Sequence, residues 1–256
     1  MFFDTYPEFV DKDVRKDRAV LQVTSESLSK RCASILPLNI VSGATILDLG
    51  SALGAMGHYG LTMGASRYTG VEIQQHYRNS SFELLGKYHT ASSWNILETV
   101  TQVSGVYDVV LACGFLHGFI DIFGTIERVC KLSSKYVIIE TTRPTIASFV
   151  KDSSVGYKNV GPSIVFIDNV TMVKNTGYYS NYSGVSSLAN KEAIDLIMLL
   201  NGFHEDHDAR PAPIIDSHDA YQENAGMHSR FITRYLKKLP MASLESSIKH
   251  DNLGIQ

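Results

Sequence analysis

The sequence predicts an α/β fold built on a mostly parallel sheet. Three observations carry this. From Thr45 onward, short strand-like runs alternate with helical stretches. Two of the runs, VVLA (109–112) and VIIE (137–140), are apolar without alternation, as strands covered on both faces are. The first run leads into a glycine loop, ILDLGSALGAMG (46–57), as in ligand-binding doubly wound sheets. The chain has 256 residues, 44% hydrophobic and 19% charged, which suits one filled core and excludes a disordered chain. Lys+Arg 23 against Asp+Glu 26 gives a formal charge of -3, so no general basic excess draws the chain to phosphate backbones. No apolar run approaches the roughly 18 residues of a bilayer span, and the start, MFFDTYPEFVDKD, is acidic where a signal peptide is basic. Cys32, Cys113 and Cys130 lie far apart, and the last two fall in apolar contexts, as buried thiols of a reducing compartment do. A cytoplasmic location is the expectation.

Taken in order, Asp11 to about Leu36 reads as a helix, with Val14, Leu21, Leu28, Cys32, Ile35 and Leu36 at helical spacings. ATILDLG, RYTGVEI, ASSWNIL, YDVVLACG and KYVIIETT read as strands, with helices over 53–64, 74–88 and 119–131 between them. Strand–helix alternation means right-handed crossovers and a parallel sheet. After Thr142 the texture changes. Residues 143–187 are rich in Gly, Ser, Asn and Tyr, and PSIVFIDNVTMVKNTGYY reads as a hairpin turning near Asp168–Asn169. A helix follows over 187–201, capped by Ser186 or Ser187 and stopped by Gly202. Residues 203–225 are polar, with Pro211 and Pro213, and HSRFITRYLK reads as a last strand. The organisation expected is an amino-terminal helical segment (1–40), one domain (41–236) with an insertion at about 143–187, and a polar tail (237–256).

The glycine loop carries the most chemistry. A strand ends at Asp48–Gly50, Ser51 to Gly54 turn, and a helix starts near Ala55. Glu72 ends the next strand, 22 residues after Gly50 (72 − 50), where neighbouring strand ends line one crevice. A carboxylate there can accept both hydroxyls of a ribose. Dinucleotide binding wants G-x-G-x-x-G, but Ala52 holds the middle position and the spacing is G-x-x-x-G, which disfavours a pyrophosphate. No G-K-[ST] follows, which excludes a P-loop.

ILDLGSALGAMG, VEI, WNIL and YDVVLACGFLHGF fall in an order and spacing that resemble the class I S-adenosylmethionine-dependent methyltransferases, over roughly 45–140. The resemblance implies a Rossmann-like seven-stranded sheet of order 3-2-1-4-5-7-6, its last strand antiparallel, with helices on both faces. It also implies that the amino-terminal helix lies over the cofactor cleft. It implies S-adenosyl-L-methionine as cofactor, with Asp48, Gly50, Ser51 and Gly54 at the methionine moiety. Glu72 would hold the ribose, and its neighbour Ile73 is counted among the cofactor-binding residues. Asn95 and Ile96, as the pair after the third strand, would bracket the adenine, and Ala112, Cys113 and Gly114 would stand beside the sulfonium. Asn95 replaces the commoner Asp, and Ser51-Ala52-Leu53 the commoner C/T-G-x. A nicotinamide oxidoreductase is the rival that Ala52 argues against.

His117, just past the fourth strand, is the candidate catalytic base, since imidazole titrates near neutral pH; the alternative is packing against the cofactor or capping the next helix. N-P-P-Y and P-C motifs are absent after the fourth strand. The acceptor expected is a small molecule. The alternatives are methyl or carboxymethyl transfer to a modified tRNA nucleoside, and a non-catalytic scaffold that binds the cofactor. The insertion carries Tyr157, Tyr178, Tyr179 and Tyr182 with Arg143, Lys158 and Lys174, a composition that can stack on a planar acceptor. HEDHDARPAPIIDSHD, with His204, His207, Asp208, Asp216 and His218, matches no metal-ligand spacing and reads as a solvated acidic turn, so no metal is expected.

Overall fold

The computed structural model describes residues 1–16, 22–116, 119–142, 162, 164–168, 185–207 and 230–238. Strands β1 (Thr45–Leu49), β2 (Arg67–Val71), β3 (Trp94–Leu97), β4 (Tyr107–Cys113) and β5 (Ser133–Thr142) run parallel to one another. β8 (Phe203–Glu205) and β9 (Arg230–Lys237) complete the sheet, with β9 antiparallel to both β5 and β8. The order is β3-β2-β1-β4-β5-β9-β8, which is 3-2-1-4-5-7-6 when the seven sheet strands are counted along the chain. Val109, Val110 and Leu111 of β4 and Val137, Ile138 and Ile139 of β5 are fully buried, because helices cover both faces.

One face carries α2 (Ser25–Ile35), α4 (Ala55–Thr62) and α5 (Gln75–Tyr88) over a core of Leu28, Cys32, Ile46, Tyr68, Leu85 and Leu111. The other carries α6 (Ile122–Lys131) and α7 (Lys191–Leu200) over Leu47, Val110, Ile126, Val137, Ile194 and Met198. Asp121 caps α6 by accepting the Gly124 N–H at 2.8 Å, and Asn190 caps α7 through the Ala193 N–H at 2.9 Å. α4 lies so close to the sheet that a Cβ on Gly57 would stand 2.4 Å from the Tyr68 ring. The three cysteines are free and buried.

Four expectations need correction. The amino-terminal helix is not continuous from Asp11: a short α1 (Glu8–Asp11) ends early, and α2 starts afresh at Ser25 after Thr24, whose side chain takes the Ser27 N–H at 3.1 Å. Val14, counted as part of the apolar stripe, is 51% exposed. Among the described residues, strand β6 (Ile164–Asp168) pairs antiparallel with β7 (Val185–Ala189), further along the chain than a hairpin turning near Asp168–Asn169 implies. Residues 187–189 therefore belong to a strand, and α7 begins at Lys191 behind Asn190, not behind Ser186 or Ser187. Finally, Phe203–Glu205, read as part of a polar stretch, is the edge strand β8. Gly202, at φ +80°, ends α7 as expected. The insertion tyrosines, Arg143, Lys158, Lys174, Asp208, Asp216, His218 and the tail from residue 239 lie outside the described residues.

The first residues form a strap across α4 and α5. Phe2, Tyr6 and Phe9 surround the His58 ring, with Phe9 stacked at 4.8 Å. The Phe3 N–H donates to Ser29 Oγ of α2 at 3.0 Å, and Glu8 accepts from Lys87 Nζ and from the Tyr88 hydroxyl.

Candidate functional site

The loop between β1 and α4 is wound by three left-handed residues: Gly50 (φ +80°), Ala52 (φ +47°) and Gly54 (φ +75°). Its entry is fastened to the end of β2, where Gly50 and Ser51 both donate their N–H to Val71 O, at 2.8 and 3.0 Å. Gly70 makes room for this turn, because a Cβ there would lie 2.7 Å from Ser51 Oγ. Ser81 Oγ of α5 donates to Ala52 O at 2.6 Å.

Glu72 closes the arrangement. Its Oε2 accepts the Ala52 N–H at 2.9 Å, and its Oε1 accepts the Gln74 N–H at 2.8 Å. The acid at the end of β2 is thus bonded to the middle of the glycine loop. Each carboxylate oxygen retains a second lone pair for a further donor. Ile73, next in the chain, is 68% exposed, a large apolar side chain standing at the rim. Arg78 of α5 braces this corner by donating to Glu72 O at 2.9 Å and to Ile73 O, and it pairs with Glu98 at 3.3 Å.

Asp48 lies beneath the loop, buried, with Oδ2 accepting the Tyr68 hydroxyl at 3.0 Å. Burial pushes its carboxyl up to about 6, against the pull of the Tyr68 bond and of the Arg31 charge. At the end of β4, Ala112 and Cys113 are buried, and burial drives the Cys113 thiol well above its usual range. Gly114 follows at φ +69° and donates its N–H to Glu140 O at 2.8 Å. Phe115 lies over the glycine loop, 3.6 Å from where a Gly50 Cβ would stand, and packs on Phe119.

The fold therefore brings Asp48, Gly50, Ser51, Gly54, Glu72, Ile73, Ala112, Cys113 and Gly114 to one edge of the sheet. Asn95 and Ile96 are placed differently from the expectation. β3 runs through them to Leu97, so they do not stand past its end. Ile96 is buried in the core, its Cδ1 2.7 Å from a Cβ built on Gly70. Glu98 is the residue just beyond β3. His117 lies outside the described residues. In the histidine-rich stretch, Glu205 is bound by Lys191 at 2.7 Å and the Asp206 N–H donates to Arg234 O.

One feature went unread in the sequence. Arg31 of α2 makes a two-pronged ion pair with Glu140 of β5, Nε to Oε1 at 2.9 Å and Nη2 to Oε2. Its sequence signal was a glutamate closing an apolar run, KYVIIE, where an uncompensated charge has no place.

The strand order with its reversed last strand is the fold of the class I S-adenosylmethionine-dependent methyltransferases. The chain is similar to magnesium protoporphyrin IX methyltransferase from Synechocystis, solved with bound S-adenosylmethionine (12% identity, TM-score 0.56, 93% of this chain and 94% of that one). It is similar to an S-adenosylmethionine-dependent methyltransferase from Mesorhizobium loti (13% identity, TM-score 0.55, 82% of this chain and 98% of that one). It is also similar to 1,6-didemethyltoxoflavin-N1-methyltransferase from Burkholderia thailandensis, solved with 1,6-didemethyltoxoflavin and S-adenosylhomocysteine (16% identity, TM-score 0.55, 93% and 86%). No family model and no curated protein matches the chain. Among the described residues, no helix is long and apolar enough to cross a membrane.

Proposed function

We propose that the chain is an S-adenosylmethionine-dependent methyltransferase acting on a small-molecule acceptor. The observation that carries this is the bond from the Ala52 N–H to Glu72, which ties a left-handed glycine loop to an acid at the carboxyl edge of a parallel sheet. The residues present suit the cofactor. Glu72 has lone pairs left for two ribose hydroxyls, and exposed Ile73 offers an apolar face to a purine. In this reading the adenine lies between Ile73 and the end of β3, with Glu98 rather than Asn95 and Ile96 at its edge. Buried Asp48, half-neutralised near pH 6, gains from a cationic ligand, as a sulfonium amino acid is.

When bound, the cofactor supplies a methyl group on a positively charged sulfur, open to in-line displacement. The protein's part is to hold an acceptor atom about 3–3.5 Å from that carbon and to exclude water. Cys113 and Gly114 border that position, and Phe115 with Phe119 shields it from the side. His117, three residues past Gly114, is the base for an acceptor that must lose a proton. The small-molecule reading is supported by the porphyrin and toxoflavin enzymes of similar fold, and by the absence of a basic excess for nucleic acid.

The test is product analysis after incubation with S-adenosylmethionine and a panel of small acceptors bearing hydroxyl, amine and carboxyl groups. Acceptor-dependent S-adenosylhomocysteine supports transfer. Methylthioadenosine instead means cleavage of the sulfonium, and overturns it.

A further inference from the structure

The amino-terminal strap is fastened around a histidine pair that the methyl-transfer site does not use. His58, one turn into α4, is 1% exposed. Phe9 stacks on its ring at 4.8 Å, and Tyr6 meets it edge-on at 4.2 Å. Phe2 lies tilted against it at 5.4 Å and Tyr88 of α5 at 5.0 Å. The same short segment also grips two more helices. The Phe3 N–H reaches Ser29 of α2, Glu8 accepts from Lys87 and Tyr88 of α5, and Lys12 pairs with Glu83 of α5. α4 and α5 in turn hold the glycine loop: the His58 N–H donates to Gly54 O at 2.9 Å, and Ser81 Oγ to Ala52 O at 2.6 Å.

The pair has room for one hydrogen between its rings. His58 Nδ1 stands 2.8 Å from His89 Nε2, so one of these nitrogens donates and the other accepts. His58 Nε2, on the other side of its ring, is buried without a partner among the described residues. With both rings neutral, a hydrogen on His58 Nδ1 leaves Nε2 bare, and no N–H is stranded in the aromatic pocket. An added proton removes that solution. If His58 becomes the cation, its Nε2 carries an N–H. If His89 becomes the cation, its Nε2 donates to His58 Nδ1, and neutral His58 must again carry its hydrogen on Nε2. Either way a donor is buried with nothing to accept it. The charges that reach the His58 ring are those of His89, which opposes a further proton, and of Glu8, which favours one. Glu8 receives Lys87 and Tyr88 on Oε1, and its Oε2 is bonded to nothing among the described residues, so it does not take a His58 N–H while the strap is docked. Burial outweighs the attraction and lowers His58 to about 4.

We propose that residues 2–12 form a proton-released latch: the strap docks on the neutral His58–His89 pair and lifts from α4 and α5 when the pair takes up a proton. Once undocked, His58 regains water on both nitrogens and its ordinary basicity. Docking is therefore at full strength above pH 6.5 and weakens as pH falls toward 4. Glu8, held below its ordinary 4.5 by Lys87, acts in the same sense only in more acid solution, so the window between pH 7.5 and 5 belongs to the histidines. The latch needs no bound cofactor.

The experiment is hydrogen exchange on the full chain between pH 7.5 and 5, each amide expressed as protection over its unstructured rate at the same pH. The amides of Phe3, Phe9 and Val10 report the strap, and those of Val110 and Leu111 the sheet. The strap amides should lose protection about twenty- to thirtyfold over this range, the effect of one histidine lowered from 6.5 to about 4, and should exchange faster than the sheet at every pH. In His58→Phe, whose ring fills the same pocket without titrating, the strap should keep its protection at pH 5. Nitrogen-15 shifts of the wild-type imidazoles read the same event without a substitution: His58 should carry its hydrogen on Nδ1 at pH 7.5 and titrate well below 6.5. Strap amides as protected as the sheet at every pH would mean that the segment opens only with the whole fold, and would overturn the latch. So would flat or rising protection toward pH 5, an unchanged pH dependence in folded His58→Phe, or a His58 that holds its hydrogen on Nε2 or titrates at its ordinary value.

Discussion

Removing the Glu72 carboxylate tests the bond on which the site is built. In Glu72→Gln the side chain keeps its shape but only one oxygen. The other end becomes an NH2 group facing the N–H of Ala52 or of Gln74, donor against donor. One backbone donor is then left unpaired, a cost of about 1–3 kcal/mol to the unliganded protein. Glu72→Ala loses both bonds but lets water into the gap, so its cost to stability is of the same order, about 2–3 kcal/mol. The effect on the cofactor comes on top. Two charge-assisted bonds to ribose hydroxyls are worth about 2–3 kcal/mol, a loss of roughly thirty- to a hundredfold or more in affinity. Urea unfolding reads the first quantity, and titration with S-adenosylhomocysteine reads the second. A folded Glu72→Ala protein whose affinity moved by less than twofold would show that the ribose does not lie on this acid. An Ala variant as stable as the wild type would show that the loop does not depend on it.

Three further outcomes follow from the same geometry. His58 is buried among Phe2, Tyr6 and Phe9, its Nδ1 2.8 Å from His89 Nε2, and burial with the His89 charge lowers it from an ordinary 6.5 to about 4, against the pull of Glu8. A base with a depressed folded value contributes stability above 6.5 and loses it as pH falls toward 4. The loss should reach up to about 2 kcal/mol by pH 5, less any solvent screening at the half-buried His89; unchanged urea midpoints between pH 7.5 and 5 would contradict it. Gly57→Ala drives a Cβ to 2.4 Å from the buried Tyr68 ring, and should cost about 1–3 kcal/mol in thermal or urea unfolding while disturbing the hold on Asp48. Ala52→Gly removes a side chain from a φ of +47°, and should be neutral or stabilising by up to about 1 kcal/mol, with cofactor affinity unchanged; a destabilised protein would mean that the loop is not strained.

The sheet was legible because its central strands announce themselves. VVLA and VIIE have no polar face, so they could only lie between two layers of helix. The loop and its acid were legible because glycine spacing and the distance to Glu72 are local properties of the chain. Long-range pairings were not. Nothing between Asp168 and Val185 says that β6 pairs with β7, and the turn-like Asp168–Asn169 pointed to a nearer partner. The break before α2 was hidden for a different reason. Val14 continues the apolar spacing of Leu28 and Cys32, while the Thr24 cap that starts the helix is a weaker signal than the stripe. Asn95 and Ile96, which the resemblance sets at the adenine, lie within β3, a strand of only four residues whose end the sequence does not mark. Arg31 and Glu140 carry no motif at all, and only the sheet register and the packing of α2 bring them together.

The most direct measurement of the central claim is calorimetric titration of the purified chain with S-adenosylhomocysteine, with NADH as the control. The account predicts saturable micromolar binding of S-adenosylhomocysteine and none of NADH. Binding of NADH, or binding of neither, would contradict it.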